Sequence, residues 1–460
     1  MIPAKAVRPV EPPEGEPCAR GGFGVYVHFP WCLKKCPYCD FLSIAVDPER
    51  LGARTSGSTQ DSTASSSPAT PHTGTAPRRL AVAGSARAPL DTPTARSIVP
   101  HAAYADAVVR ELAERSPHLD VRGPLRSVFF GGGTPSLWDP RELGRVLRTL
   151  LAEGPATSLE VTVECNPTSF DEEHARALLD VGVNRVSLGV QSLNRERLDF
   201  LGRLHDAPGG LRALEQALRA GVPRVNADLI FGVSGQSPED AAREVRRVAE
   251  TGVTHVSAYA LTIEPGTQFG ALARRGKLPL LEDAKIAESF VAVEETLTSL
   301  GFAHYEVSNY ARVGHYAQHN LGYWRGDDYL GLGVGAWGTV TLTDGSRLRY
   351  RNTPSIERYL GAWTDTAPVQ PFAEGPHLGE REPIDAETAL SERILLGLRL
   401  AEGLDLKAAA DELGVSPWSK ERRRAALRLE ERGRLIVEGE RLRIPHSQWL
   451  YADGTIAELL

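Results

Sequence analysis

Several things are missing from this chain, and each absence narrows what it does. No apolar run approaches the roughly 20 residues that a bilayer-spanning helix needs. The N-terminal stretch MIPAKAVRPVEPPEGEPCAR is proline-rich and polar, without the apolar core of a signal peptide. Positive charge is not in excess: 52 Lys and Arg against 59 Asp and Glu leave a formal net charge of −7. Composition therefore makes no electrostatic case for nucleic acid. Cysteine is scarce, and three of the five residues are clustered. Thiols held that close persist as ligands only under reducing conditions. The expected location is the cytoplasm, peripheral attachment at a membrane included. Cys18, in the N-terminal tail, reads as incidental.

Large apolar residues are almost lacking from one long tract. Between 46 and 100 the text, typified by TSGSTQDSTASSSPATPHTGTAPRRL, is mostly Ser, Thr, Ala and Pro. Such a segment buries too little surface to offset the entropy of ordering it, so it is expected to be a disordered insertion. Residues 1–22 are expected to be a flexible tail. The full 460 residues, 42% of them hydrophobic, suffice for two domains with a sizeable core. The boundaries read as 23–366 for a first domain and its extension, 367–384 for a Pro-rich linker, and 385–460 for a C-terminal domain.

What is present begins with an alternation. Apolar, β-branched runs at 25–29, 125–130, 159–165, 185–190, 225–231 and 255–261 are separated by helical patterns at 102–114, 140–152, 172–181, 210–220 and 239–251. Short continuous apolar strands between helices imply a parallel sheet covered on both faces. Repeated right-handed crossovers curl such a sheet into a barrel. Six units predict an α/β fold, a partial (β/α)6 barrel, with ligands gathered at the carboxyl ends of its strands.

The first strand runs into YVHFPWCLKKCPYCDF, where Cys32, Cys36 and Cys39 follow a C-x3-C-x2-C spacing. Three thiolates fall one short of a closed zinc site, which His28 could complete. A [4Fe–4S] cluster held by three cysteines keeps one iron open to an outside ligand. On the residues alone both readings stand. The second strand enters Gly131-Gly132-Gly133-Thr134-Pro135, whose backbone offers close approach and free N–H donors. Glu164, Gln191 and Asp228 stand at or near the ends of the next three strands, and Arg203 follows the fourth. A charge such as Asp228 inside an apolar run is costly unless paired or turned toward a ligand.

The cysteine spacing, with Tyr38 before the last cysteine, closely resembles the signature of the radical S-adenosylmethionine (SAM) family, and GGGTPS resembles that family's glycine motif. The resemblance implies the same (β/α)6 core. It also implies a [4Fe–4S] cluster on Cys32, Cys36 and Cys39, with SAM on the open iron and cleaved there to a 5′-deoxyadenosyl radical. Tyr26, Tyr38, Gly132, Gly133, Thr134, Glu164, Gln191, Arg203 and Asp228 match positions that contact SAM in the family. Cys165 reads as buried packing rather than a fourth ligand.

Further on, LTIEPGTQF, HYEVSNYA and GHYAQHNLGYWRGDDYLGLGVGA resemble the branch akin to oxygen-independent coproporphyrinogen III dehydrogenase. Within it, Asp40 and Phe41 follow Cys39 where the dehydrogenase carries one more cysteine, as in the HemW heme chaperones. His319, Asn320, Tyr323 and Trp324 match the H-N-x-x-Y-W motif associated there with heme. The implied function is binding heme and passing it to acceptor hemoproteins, membrane-associated ones among them. The alternative is the dehydrogenase reaction that makes protoporphyrinogen IX. One departure stands out: Trp337 occupies a position where relatives carry histidine.

Past 385, three helical patterns at 386–400, 404–413 and 419–432 and the hairpin text RLIVEGERLRI read as a small helical, winged-helix-like domain. Lys420 and Arg422 to Arg424 form a basic run, but Glu421, Glu430 and Glu431 interrupt it, the pattern of a solvated helix face. No nucleic-acid partner is expected. The resemblance implies that this domain covers the mouth of the site.

Overall fold

The computed structural model describes residues 22–46, 92–121, 123–151, 158–364 and 369–460. Strands Phe23–Phe29, Leu125–Gly132, Glu160–Cys165, Arg185–Gln191, Arg224–Phe231 and His255–Ala260 lie side by side in that order, every neighbouring pair parallel. All six predicted strands are present within a residue or two of their expected ends. The order is linear, so the barrel is partial, as expected.

The helices between the strands start where the sequence supplies caps. Asp139, Asp171 and Asp206 each accept a backbone N–H of the first turn, and Ser237 with Asp240 forms a reciprocal capping box. Proline follows at the first helical position in Pro140–Leu150 and Pro238–Ala249, where its missing N–H costs nothing.

The sheet is larger than six strands. A seventh parallel strand, Tyr329–Leu332, pairs with the first, and Trp337–Thr341, Arg347–Asn352 and Leu378–Ile384 continue outward antiparallel. On the opposite edge Asn309–Ala311 and Ala303–Glu306 add a hairpin, for twelve strands in all. A buried polar knot ties the extension to the barrel. Glu111 accepts from Gly333 N at 2.9 Å, Tyr359 OH at 2.6 Å and Asn352 Nδ2 at 2.7 Å, while Arg115 lies 3.2 Å from it. Both charges are fully buried, and Arg115 also stacks over Tyr350.

Two expectations about order are corrected. The segment 367–384 is not a hinge throughout, because Leu378–Ile384 is the edge strand of the main sheet. Five of its seven residues are exposed, so no apolar alternation marks it; its pairing rests on backbone bonds and on Arg349–Glu382 and Arg351–Glu380 at 3.2 and 3.1 Å. Pro383 is tolerated there because an edge strand has one side unpaired. Most of the tract expected to be a disordered insertion lies outside the described residues, but its end, Thr92–Ile98, is helical. Arg96 anchors that helix, donating to Ser136 O at 2.9 Å and Ser169 O at 3.0 Å.

Helices Ala386–Gly397, Leu406–Leu413 and Lys420–Glu431 are followed by the hairpin Ile436–Glu438 and Arg441–Arg443, which Leu404–Asp405 completes as a third strand. That is a winged-helix arrangement, with its own apolar core around Leu390, Ile394, Leu429 and Trp449. Within the basic run, Arg422 is buried and donates to Pro417 O and Leu459 O. The unit docks on the edge hairpin, through Val307 N to Arg399 O and Ala401 N to Tyr305 O.

Candidate functional site

The cysteine loop leaves the carboxyl end of the first strand, and its stem is pinned. Trp31–Cys32 pairs with Ile44–Ala45, and Gly133 N and Thr134 N donate to Phe29 O and Trp31 O at 2.7 and 2.8 Å. Gly133 has to be glycine here, since a Cβ would stand 2.7 Å from Pro30 C and Trp31 O. Gly132 adopts φ +111°, and a Cβ on it would strike the His28 ring.

Above this stem opens a cavity of about 450 Å³. Cys32, Cys36, Tyr38, Cys39, Gly132, Gly133, Thr134, Glu164, Gln191, Arg203 and Asp228 all line it, as do Lys34, Ser187 and Tyr259. The strand-end rule brings together residues from five separate strands and the loop. Tyr26 is the exception. It sits lower in the barrel, stacked on Phe129 and donating to His28 Nδ1 at 2.9 Å, beneath Gly131 and Glu164. Cys165 is buried on the cavity wall.

His28 drops out as a metal ligand. Its Nε2 donates to Leu42 O at 2.8 Å and its Nδ1 receives Tyr26 OH, so both nitrogens are engaged in holding the loop. Burial pushes its pKa down to about 4. Among the described residues, no three of these cysteines and His28 bring their ligand atoms within 4.8 Å of one another. Ligands on one zinc ion lie at most about 4.6 Å apart, twice a zinc–sulfur bond. The zinc reading, which needed His28 as its fourth ligand, is therefore corrected.

The chemistry of the walls is anionic. Burial, and then the neighbouring Asp228, raise the Glu164 carboxyl to about 7, although it accepts Gly132 N at 3.0 Å. Asp228 is also raised by burial, against the pull of Ser187 Oγ at 2.9 Å and Asn226 Nδ2 at 2.8 Å. Two half-buried carboxyls facing one cavity fit a cationic ligand, which would draw both into their ionised forms. Arg203 reaches in from the other side, donating to Gly189 O at 2.9 Å and to Cys36 Sγ at 3.5 Å, and its Nε has no protein partner. Gln191 is the one non-glycine with positive φ among the described residues, at +66°. Such a backbone costs of order 1–3 kcal/mol and persists where surrounding structure over-determines it, as at ligand sites.

The bed under Asp228 escaped the sequence reading. Asn226 donates to Asp228, Ser187 and Ser257, and His255 binds Asn226 Oδ1 at 2.6 Å. A signal existed: Asn226 and Asp228 are two apart, hence on one face of their strand, and Ser187 and Ser257 sit in register on the flanking strands.

The heme-motif residues are elsewhere. His319, Asn320, Tyr323 and Trp324 ride on helix Gln318–Arg325, which packs against the amino ends of the strands, and none lines the cavity. Glu160, the first residue of its strand, accepts Gln318 N and His319 N at 3.1 Å each. His319 is buried, with Nδ1 on Ser127 Oγ and Nε2 on Tyr323 OH, both at 2.8 Å. Burial drives its pKa down to about 3. Trp324 faces the C-terminal unit instead, with Arg399 over its ring. Trp337 is exposed, with Arg351 over its ring, outside the cavity. No residue of the C-terminal unit lines the cavity, so that unit does not cover its mouth as expected.

With this geometry in place, likeness to known proteins becomes informative. Residues 26–248 match the family model of the Radical SAM superfamily, and 384–450 match the HemN C-terminal domain. Heme chaperone HemW of Mycobacterium tuberculosis is 34% identical over 453 residues, covering 98% of both chains. Heme chaperone HemW of Escherichia coli K12 is 32% identical over 379 residues, 82% of both. The solved coproporphyrinogen III oxidase (HemN) of Escherichia coli superposes with a TM-score of 0.68 over 95% of this chain and 90% of that one, a likeness of fold at 18% identity. A partial barrel with three cysteines at its mouth and a winged-helix unit behind it, matched over 82–98% of the chain by these chaperones, makes this chain a member of the heme chaperone HemW family within the radical SAM superfamily.

Proposed function

We propose that this protein holds a [4Fe–4S] cluster on Cys32, Cys36 and Cys39, binds SAM in the adjoining cavity, and carries heme to acceptor hemoproteins. The observation that carries the reading is the near full-length match to proteins named heme chaperones. The cavity supports the cofactor assignment. Glu164 and Asp228 offer carboxylates to the SAM ammonium and sulfonium, Gly133 and Thr134 shape its floor, and Arg203 and Tyr38 flank the cysteine loop. When bound, cluster and SAM supply one-electron chemistry; the residues named here orient the ligand and keep the loop stem fixed.

Heme is assigned to helix Gln318–Arg325, with membrane-associated hemoproteins among the acceptors. No helix among the described residues is long and apolar enough to cross a membrane. Because both ring nitrogens of His319 are engaged, ligation of heme iron by His319 requires this helix to open.

The test uses anaerobically reconstituted protein with SAM and reductant. Heme is titrated into wild type and His319→Ala, followed by transfer to an apo-hemoprotein. Stoichiometric heme binding and transfer are expected, with an altered heme spectrum and at least tenfold weaker binding in the variant. An unchanged spectrum and affinity would remove His319 as ligand. Accumulation of protoporphyrinogen IX from coproporphyrinogen III over several turnovers would overturn the chaperone reading.

A further inference from the structure

We propose that Glu294, His304 and His446 bind one divalent transition-metal ion of the zinc class, at the seam between the barrel and the C-terminal unit. The three come from separate elements. Glu294 lies on helix Asp283–Ser299, His304 on the edge strand Ala303–Glu306, and His446 opens the 3-10 helix His446–Tyr451 of the C-terminal unit. Among the described residues they are the one set of three or more His, Cys, Asp or Glu whose ligand atoms lie within 4.8 Å of one another.

Distances distinguish a metal cradle from a set of ion pairs. Glu294 Oε1 stands 3.3 Å from His304 Nδ1 and 3.5 Å from His446 Nδ1. Charge-assisted hydrogen bonds of this type close to about 2.7–2.9 Å. A tetrahedral ion with bonds of about 2.0–2.1 Å sets its ligands about 3.3 Å apart, close to the two separations from Glu294, and all three ligand atoms lie within 4.8 Å of one another. The ring's partners fit the same reading. His304 faces two acceptors, Val307 O at 3.4 Å from Nε2 and Glu294 Oε1 at 3.3 Å from Nδ1, and a neutral ring carries one proton for the two. Placed on Nε2, that proton leaves the Nδ1 lone pair and the carboxylate oxygen for a cation between them. A backbone carbonyl holding the far nitrogen of a ligating histidine is the usual outer support of such sites.

The rings are held in place before any ion arrives. Tyr310 stacks on His304 at 4.1 Å, and Trp449 meets His304 edge-on at 4.4 Å while stacking on His446 at 4.3 Å. Two imidazoles and one carboxylate suit zinc, cobalt or nickel rather than the all-oxygen shells of calcium and magnesium. The His304 side chain is 1% exposed, but His446 and Glu294 are 36% and 23% exposed, so solvent can reach a fourth position. An ion here would staple the C-terminal unit to the barrel.

The experiment dialyses zinc chloride against the full chain with its cluster reconstituted. Bound zinc is counted by mass spectrometry, and its ligand shell is read by X-ray absorption at the zinc edge. One zinc per chain with a nitrogen and oxygen shell is expected. His446→Gln and Glu294→Gln should each weaken binding at least tenfold while keeping the cluster spectrum and circular dichroism of wild type. Absence of bound zinc, a sulfur-containing shell, or zinc binding in both variants as tight as in wild type would each overturn the site.

Discussion

Glu164→Gln isolates one charge in the cavity wall. Gln keeps the shape and can still accept Gly132 N, which lies at 3.0 Å, so only the ionisation is lost. In the folded chain burial holds the carboxyl at about 7 instead of the ordinary 4.5. Between those values the folded state keeps a proton that the unfolded state has released, so stability falls as pH rises through that window. Allowing for water that reaches the cavity wall, the penalty at pH 8 is about 2–3 kcal/mol. Without SAM the variant should therefore be more stable than wild type by that amount at pH 8 and equal to it near pH 4, measured by urea unfolding. SAM binding should move oppositely, because a cationic ligand loses a charge-assisted partner worth about 1.5–3 kcal/mol, roughly tenfold or more in Kd. Superimposable pH profiles for the two proteins would refute the buried-carboxyl argument. Equal affinity for SAM at pH 8 would refute the assignment of Glu164 to the ligand's positive charge.

Gly133→Ala drives a Cβ to 2.7 Å from Pro30 C and Trp31 O, backbone atoms that cannot swing aside. Overpacking of this kind costs about 1–3 kcal/mol; the loop stem should shift and iron per chain after reconstitution should fall by more than half, and full iron content would count against the stem's role. Arg115→Met leaves Glu111, fully buried, without its charge partner. Stability should drop by about 3–5 kcal/mol in urea unfolding, and a loss under 1 kcal/mol would mean that Tyr359, Asn352 and Gly333 satisfy the carboxylate alone.

Much of the architecture was legible because each barrel strand carries its own burial in its text. Runs such as VTVEC and VNADLIF carry an unbroken apolar row on one face, Val161, Val163 and Cys165 in one and Val225, Ala227, Leu229 and Phe231 in the other, and all of these are buried. In a parallel barrel every strand ends at the same rim. Short-range reading of the cysteine loop, the glycine turn, Glu164, Gln191 and Asp228 therefore already collected residues that line one cavity.

Other features depend on partners far away in the chain, and no local pattern encodes them. Leu378–Ile384 is a strand because Arg347–Asn352 presents an open edge to it, and Thr92–Ile98 is ordered because Arg96 finds Ser136 and Ser169. The H-N-x-x-Y-W text named its residues but not their direction; packing against Glu160 and Ser127 turned His319 inward and left Trp324 to the C-terminal unit. The meeting of Glu294, His304 and His446 is equally unreadable from sequence, since it exists only once the two units dock. Local sequence thus determined which segments are strands, helices and strand-end ligands, because periodic burial and capping act over a few residues. Only the tertiary structure decided which side chains face one another, because that follows from packing between segments tens to nearly two hundred residues apart.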